Sequence, residues 1–573
     1  MSVEFRLDGR IVQVDDDSLT LLDAMREHLG VRAPKDGCSP QGQCGCCTVW
    51  VDGAARVSCV TPVRRVAGRE VVTTDGLPEP VAARWAGAFT DAGASQCGFC
   101  TPGIVLRLAS LDARGVSGGR RLDEPAIRTA LAAHLCRCTG WQTIVEAAGA
   151  VLGVPVGRSA GEAREAEGAG RAGEGDGRAE RHADAMDVAA EGSPAPPRDS
   201  LLESWRAQLE GPAFQVSDRQ TVLGHAGFAD DTAPPGARVA VPGPDGSLVV
   251  GADLADARRR SGKVQGRNSP VPLRHPVALA PGDWALTLQT TWVEPAYLEP
   301  DASWCVPGGR PAPPLANGGA FGGKRTSPVP GLARRLADEL GGPVRVVWSR
   351  EDVVRLGPKR PPVALGLAAD GTGVMRVACT PGSVALDPLV ARVAQVAPGL
   401  RVELVEVAGP PVSPDLRGAG WAEATVGLAV LGALAAGDAA PGSAVEARAP
   451  GGGRARVAVA PGGGVDVEVW AGEVLDEVVL RSYCIGAVHQ ALGWVRQEGI
   501  AVDDAGCVED LTIRSFGVLS ARDTPWVTVT LHHEDRFPVN GSDAVFAAAA
   551  AAAWLTEGLA PAWPTRRVAE ARS

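Results

Sequence analysis

Nine of the chain's 13 cysteines fall within its first 138 residues, at spacings that few folds can use. Four of them, Cys38, Cys44, Cys47 and Cys59, stand in the string GCSPQGQCGCCTVWVDGAARVSC. An iron–sulfur centre needs thiolates that converge from one tight loop plus one from a neighbouring segment, and the plant-type pattern C-x4-C-x2-C…C does this. Here the first gap is five residues, which lengthens the loop and still leaves four thiolates available. Gly37, Gly42 and Gly45 are expected to take positive φ and to let backbone N–H groups face the cluster sulfurs. Cys46 breaks the two-residue gap that Cys47 keeps from Cys44, so it is read as a non-ligand.

The second set is Cys97 and Cys100 in QCGFCTPG, with Cys136 and Cys138 in HLCRCTGW. Thr101 and Pro102 predict the N-cap and first residue of a helix, whose dipole and free amides favour an anionic thiolate cluster beside them. Two [2Fe–2S] clusters are the expectation. A four-cysteine zinc site and buried free thiols are the alternatives for either set.

Compartment bears on this choice. The N-terminal MSVEFRLDGR carries charges where a signal peptide needs an apolar core. The uncharged runs Ala424–Gly437 and Ala544–Leu555 fall short of the roughly 18 to 20 apolar residues of a bilayer span. A cytoplasmic protein with no membrane segment is expected, where thiols stay reduced and dense cysteines serve as metal ligands. A net charge of −11 argues against a nucleic-acid partner.

At 573 residues the chain exceeds a single core. Val3–Leu7, Asp8-Gly9 and Ile11–Val14 read as a tight hairpin, followed by a helix with Ser18 as N-cap, Leu21, Leu22, Met25 and Leu29 at helical spacing, and Gly30 at its end. Val49–Val51 and Val71–Thr73 extend this small sheet. From Pro78 the pattern turns helical, with Asp123 and Pro125 opening another helix. Residues 154–200 are Gly, Ala, Glu, Arg and Pro with little to bury, and read as a disordered linker. Beyond it, Val344–Trp348, Val374–Ala378, Val465–Trp470 and Trp526–Leu531 read as strands, and Ala544–Leu555 as an Ala-rich run. The fold expected is α/β multidomain (α+β), divided at 1–77, 78–153, 154–200 and 201–573.

Together QCGFCTPG, LCRCTGW and GCSPQGQCGCCTV resemble the iron–sulfur portion of the xanthine dehydrogenase and aldehyde oxidase family, the molybdenum hydroxylases. The resemblance covers roughly residues 1–150, and implies a ferredoxin-type β-grasp domain followed by a helical-bundle domain. It further implies an electron route from molybdenum through the helical-domain cluster, then the ferredoxin-type cluster, to flavin or another acceptor. Shorter pieces resemble the family's molybdopterin-binding large subunit, in family order: FADD at Phe228–Asp231, AYLEP at Ala296–Pro300, GGAFGGK at Gly318–Lys324, PVRVVWSRED at Pro343–Asp352, GPKRPPVA at Gly357–Ala364, LRGAG at Leu416–Gly420 and IGAVHQALG at Ile485–Gly493. The resemblance implies Gly318, Gly319, Phe321, Gly322, Gly323, Arg417, Gln490 and Gln96 as cofactor-binding residues. From the residues alone, GGAFGGK also has P-loop spacing, although Arg325 stands where Ser or Thr should bind Mg²⁺, and it also reads as a plain glycine-rich turn. Arg417 could hold an anion or sit paired on the surface.

The large-subunit part is about half the family's usual length, and lacks a recognisable Gly-Gln-Gly pterin loop. Where the family has a Gly-Glu-Pro segment whose glutamate is the general base, the string here is VNGSDAVF. Ser542 holds the glutamate's slot, with Asp543 beside it, and these two with Arg417 are the candidate catalytic residues. Glu299 and Glu423 are further carboxylates that could stand in. The leading expectation is a hydroxylase-type oxidoreductase carrying two [2Fe–2S] clusters and molybdenum–molybdopterin, with no FAD in the chain. It would oxidise a small-molecule aldehyde or N-heterocycle and pass electrons to a separate flavoprotein or other acceptor, with a homo-dimer as one allowed assembly. The alternatives are an electron-transfer or assembly protein with a degenerate molybdopterin domain, and a zinc-stabilised interaction protein.

Overall fold

The computed structural model describes residues 2–118, 122–157, 199–211, 218–262, 271–314 and 320–570. Most of the expected linker lies outside the described residues, as do Gly318 and Gly319.

The chain opens on a five-stranded sheet in the order Arg10–Val14, Val3–Leu7, Glu70–Val72, Thr48–Val51, Ala54–Val57. Val3, Phe5 and Leu7 are buried while Glu4 and Arg6 are exposed, the alternation of a strand with one face on the core. Asp8 at φ +50° and Gly9 at φ +79° close the hairpin. The following helix starts later than Ser18: Thr20 caps it, accepting from the Asp23 amide at 3.1 Å, whereas the Ser18 hydroxyl donates to Asp16 at 2.6 Å. An Asx-type turn at Asp16 has competed successfully for that hydroxyl.

Four helices follow: Glu79–Asp91, Thr101–Gly118, Glu124–Ala130 and Gln142–Leu152. Thr101 is the first helical residue of its element rather than the cap before it. Asp123 caps the next one as expected, accepting from the Ala126 amide at 2.8 Å. Beyond Leu152 the chain folds back, with Val154 buried and its amide bonded to the Gly149 carbonyl at 2.9 Å. A helix capped by Asp199 runs from Ser200 to Glu210. Residues 154–157 and 199–200 of the span read as a linker are thus among the described residues.

Among the described residues, the remainder holds three four-stranded sheets. One runs Leu248–Gly251, Arg238–Pro242, Val344–Trp348, Asp301–Cys305; another runs Leu400–Glu406, Gly373–Cys379, Val363–Leu367, Leu286–Gln289. The last runs Ala444–Arg448, Arg454–Val459, Val465–Trp470, Val527–His532. Against it pack two long helices, Glu477–Arg496 and Ser542–Thr556. The second is buried continuously from Ala544 to Leu555, because alanines on every face leave no solvent side. The fold is α/β multidomain.

Buried charges join the first sheet to the C-terminal part. Asp230 and Asp231 of the FADD string meet Arg26 at 2.7 and 2.8 Å, and Asp231 meets Lys35 at 2.5 Å. Arg345 bridges Asp230 at 3.2 Å and Glu27 at 2.5 Å. Burial opposes the Asp230 carboxylate, but Arg345 and Arg26 hold its pKa down at about 2.

Candidate metal centres and the closed site behind them

The loop from Cys38 to Cys47 wraps its thiols inward. Cys38 touches both Cys44 and Cys59, and Cys59 touches Cys47, so four thiols meet as adjoining pairs. All four are buried. The amides of Gln41 and Gln43 both point at the Cys38 sulfur, at 3.4 Å each, and the Cys59 amide at Cys47 at 3.5 Å. N–H groups aimed at sulfur stabilise negative charge there, which is what an anionic cluster requires. Gly42 and Gly45 take φ +69° and +71° as expected. Gly37 does not; its glycine is a matter of space, since a Cβ would lie 3.1 Å from the Cys44 sulfur and 3.1 Å from the Phe99 ring.

The second set assembles from two helix ends. Cys100 touches Cys136, and Cys97 touches Cys138. The Thr139 hydroxyl lies 3.2 Å from the Cys136 sulfur. In this set the thiols meet in twos, Cys100 with Cys136 and Cys97 with Cys138. Two irons taking two thiolates each suit that arrangement. The two sets adjoin: the Leu135 amide, next to Cys136, donates to the Cys44 carbonyl at 3.0 Å, and Trp50 Nε1 donates to the Leu106 carbonyl at 2.8 Å.

The helix Glu477–Arg496 covers the far side of the second set. A Cβ on Gly486 would lie 1.8 Å from the Cys138 carbonyl, so only glycine permits this approach. Gln96 donates to Ser482 at 3.0 Å. Gln490 donates to the Arg137 carbonyl at 3.3 Å and accepts from Arg417 at 3.4 Å. Arg417 also donates to Asp543 at 2.9 Å and to Ser542 at 2.7 Å, so it is a paired interior residue and not a solvated one. Its amide bonds the Phe321 carbonyl at 3.1 Å. A Cβ on Gly322, which has φ +90°, would lie 1.8 Å from the Asp415 carbonyl, so the glycine loop is pressed onto the LRGAG segment. Gly323 fits similarly against Pro295, 2.7 Å from its would-be Cβ.

Lys324 pairs with Glu299 at 2.9 Å and donates to the Pro300 carbonyl at 2.9 Å. Its ammonium holds the loop from behind, which removes the P-loop reading. Glu423 is likewise held by Arg360 at 2.8 Å. Neither Glu299 nor Glu423 lines the openings beside Arg417. Those openings flank Phe321: an inner one of about 30 Å³ between Arg137, Arg360 and Trp494, and an outer one of about 190 Å³ where Arg325, Asn540 and Asp543 meet.

Two sets of contacts at this site escaped the sequence reading. Arg137, between Cys136 and Cys138, forms a two-pronged ion pair with Glu498, the longer arm 2.8 Å. Burial pushes the Glu498 carboxyl up against the pull of Arg137. Glu210 accepts from the amides of Gly541 and Ser542 at 3.0 and 2.8 Å and pairs with Arg206 at 2.9 Å. It thereby caps the Ser542 helix from more than 300 residues away, a pairing that local sequence cannot signal.

Comparison with known proteins fits this arrangement. Residues 5–64 match the 2Fe-2S iron-sulfur cluster binding domain, and residues 73–149 match the [2Fe-2S] binding domain. The nicotine 6-hydroxylase small subunit of Paenarthrobacter nicotinovorans is 36% identical over 148 residues, 26% of this chain and 87% of that protein. The xanthine dehydrogenase iron-sulfur-binding subunit of Escherichia coli O157:H7 is 35% identical over 146 residues, 25% of this chain and 90% of that one. For the xanthine dehydrogenase of Blastobotrys adeninivorans, 38% identical, the match spans only 10% of its length. The aldehyde oxidoreductase of Desulfovibrio gigas shares the fold over 99% of both chains, with a TM-score of 0.66 at 14% identity. The two matched domains contain both sets of thiols, so the chain carries two [2Fe–2S] domains and belongs to the molybdenum hydroxylase family of xanthine dehydrogenases and aldehyde oxidoreductases.

Proposed function

We propose that the chain is an electron-transfer oxidoreductase in which two [2Fe–2S] clusters, one after the other, form its working part. Cys97, Cys100, Cys136 and Cys138 hold the inner cluster, against the helix that carries Gly486 and Gln490. Cys38, Cys44, Cys47 and Cys59 hold the outer one. Val60, next to Cys59, is 55% exposed and offers an apolar contact to an external acceptor such as a flavoprotein.

The observation that carries this reading is the closed state of the cofactor-binding residues. Of the residues that the family resemblance assigns to molybdopterin, Gln490 and Arg417 hydrogen-bond within the protein through every side-chain nitrogen and oxygen, and the Gln96 amide nitrogen donates to Ser482. The two openings beside them hold about 30 and 190 Å³. Pockets for cofactors usually offer roughly 300 to 1,000 Å³. As they stand these two openings are smaller than a pyranopterin needs, residues 315–319 beside them lie outside the described residues, and no catalytic step is assigned to a pterin. The position of the family's general base is a serine whose hydroxyl already accepts from Arg417.

A second reading, small-molecule hydroxylation, draws on one observation: Phe321, Arg417, Asp543 and Arg325 line a common opening. Bleaching of the oxidised clusters separates the two. With protein produced in molybdate-replete cells, dithionite should bleach both clusters and an added acceptor restore them, while aldehydes and N-heterocycles leave them oxidised. Bleaching by any such substrate would establish the hydroxylase reading instead.

A further inference from the structure

The loop that carries the outer thiols is held from the other end of the chain. Its gap between Cys38 and Cys44 is one residue longer than the plant-type spacing. Among the described residues, no hydrogen bond from main chain to main chain reaches residues 39–43. Side chains hold the loop instead. Gln41 Nε2 donates to the Glu351 carboxylate at 2.8 Å and to the Leu511 carbonyl at 3.3 Å, and its Oε1 accepts from the Ile513 amide at 3.4 Å. Arg514 donates to the Gln43 carbonyl from Nε at 3.2 Å and from a terminal nitrogen at 3.0 Å. That same nitrogen reaches the Ala132 carbonyl at 3.0 Å, so Arg514 ties the loop to the helical domain as well.

The residues that grip are themselves well fixed. Thr512 caps the short helix Ile513–Phe516, accepting from the Ser515 amide at 3.1 Å, and both Ile513 and Phe516 are buried. Glu351 is buried on the helix Arg350–Leu356. The residues they grip are the two whose main-chain amides point at the Cys38 sulfur, at 3.4 Å each. Glu351 and Leu511–Arg514 thus stand behind both N–H···S bonds.

We propose that Gln41 and Arg514 are positioning residues through which the C-terminal part raises the reduction potential of the ferredoxin-type cluster, by keeping the Gln41 and Gln43 amides on Cys38. This rests on the ligand assignment of the relay reading. An N–H donated to a ligand sulfur withdraws electron density from it and favours the reduced, more negative cluster. The outer cluster takes one electron from the inner one, and no bond forms or breaks, so what the grip sets is the driving force of that step. A loop released by the C-terminal part would leave the outer cluster a poorer sink.

The test compares Gln41→Leu and Arg514→Lys with the unaltered full chain, using iron content, EPR of both clusters and potentiometric titration. Neither substitution changes the net charge, so a shift in potential reports the grip and not a lost charge. Iron stays at four per chain. In Gln41→Leu the outer cluster becomes harder to reduce by about tenfold in the one-electron equilibrium, ~59 mV, while the inner cluster keeps its potential. Arg514→Lys, which keeps the charge and loses the guanidinium fork, shifts the outer cluster in the same direction by less. An unchanged potential in Gln41→Leu with iron intact overturns the proposal and leaves the relay standing. An equal shift of both clusters overturns it too, since general loosening of the chain does not single out Cys38. If Gln41→Leu loses the outer cluster altogether, the potential of Arg514→Lys decides. An unaltered chain that shows only one cluster by EPR would overturn the relay reading itself.

Discussion

In the N-terminal domains, eight thiols meet in pairs with backbone amides still directed at sulfur; around Arg417, arginine, glutamine, serine and carboxylate have closed on one another. The first arrangement leaves its strongest electrostatic demand for something else to satisfy. The second has already satisfied its own. On the proposed reading, the family pattern serves chemistry in the first region and packing in the second.

The contrast can be broken first at the clusters. Cys138→Ser should remove the inner cluster, halving the iron and abolishing its EPR signal while the outer cluster's signal persists; loss of both together would contradict independent centres. A substitution in the covering helix should reach the same cluster from outside. Gly486→Ala places a methyl on the Cys138 carbonyl and should change the inner cluster's EPR signal without loss of the outer one.

In the closed region the expected effects are on stability. Glu498→Ala leaves Arg137 buried and unpaired, at a cost of about 3–5 kcal/mol read from denaturant unfolding. Equal stability of the variant would mean that the ion pair does not hold this region shut. Ser542→Glu is the sharper probe of function. Packing against Arg417 predicts no gain of aldehyde or N-heterocycle oxidation, and a gain would show that a catalytic site survives there.

The smallest effect concerns pH. The Asp230 carboxyl is held below its ordinary range, so its contribution to stability is complete above about pH 4 and is lost as pH falls through about 2. Unfolding of metal-free protein between pH 5 and 2 should show this fall, and Asp230→Asn should flatten it.

The cysteine sets were legible because metal ligation fixes residue type and spacing within short strings, as in QCGFCTPG. The Val344–Trp348 and Val465–Trp470 strands were legible for a similar reason, their apolar runs being local. The closing of the Arg417 site was not. It depends on partners such as Glu210 and Glu498, whose roles arise only when distant helices pack. Thr20 displacing Ser18 as a cap shows the same limit at short range, since two hydroxyls two residues apart compete and the neighbouring Asp16 decides between them.

Metal and pterin content of protein purified from molybdate-replete cells tests the central claim most directly. The account predicts four iron and four acid-labile sulfide per chain, with molybdenum and pterin both absent. One molybdenum and one pterin per chain, retained through purification, would contradict it.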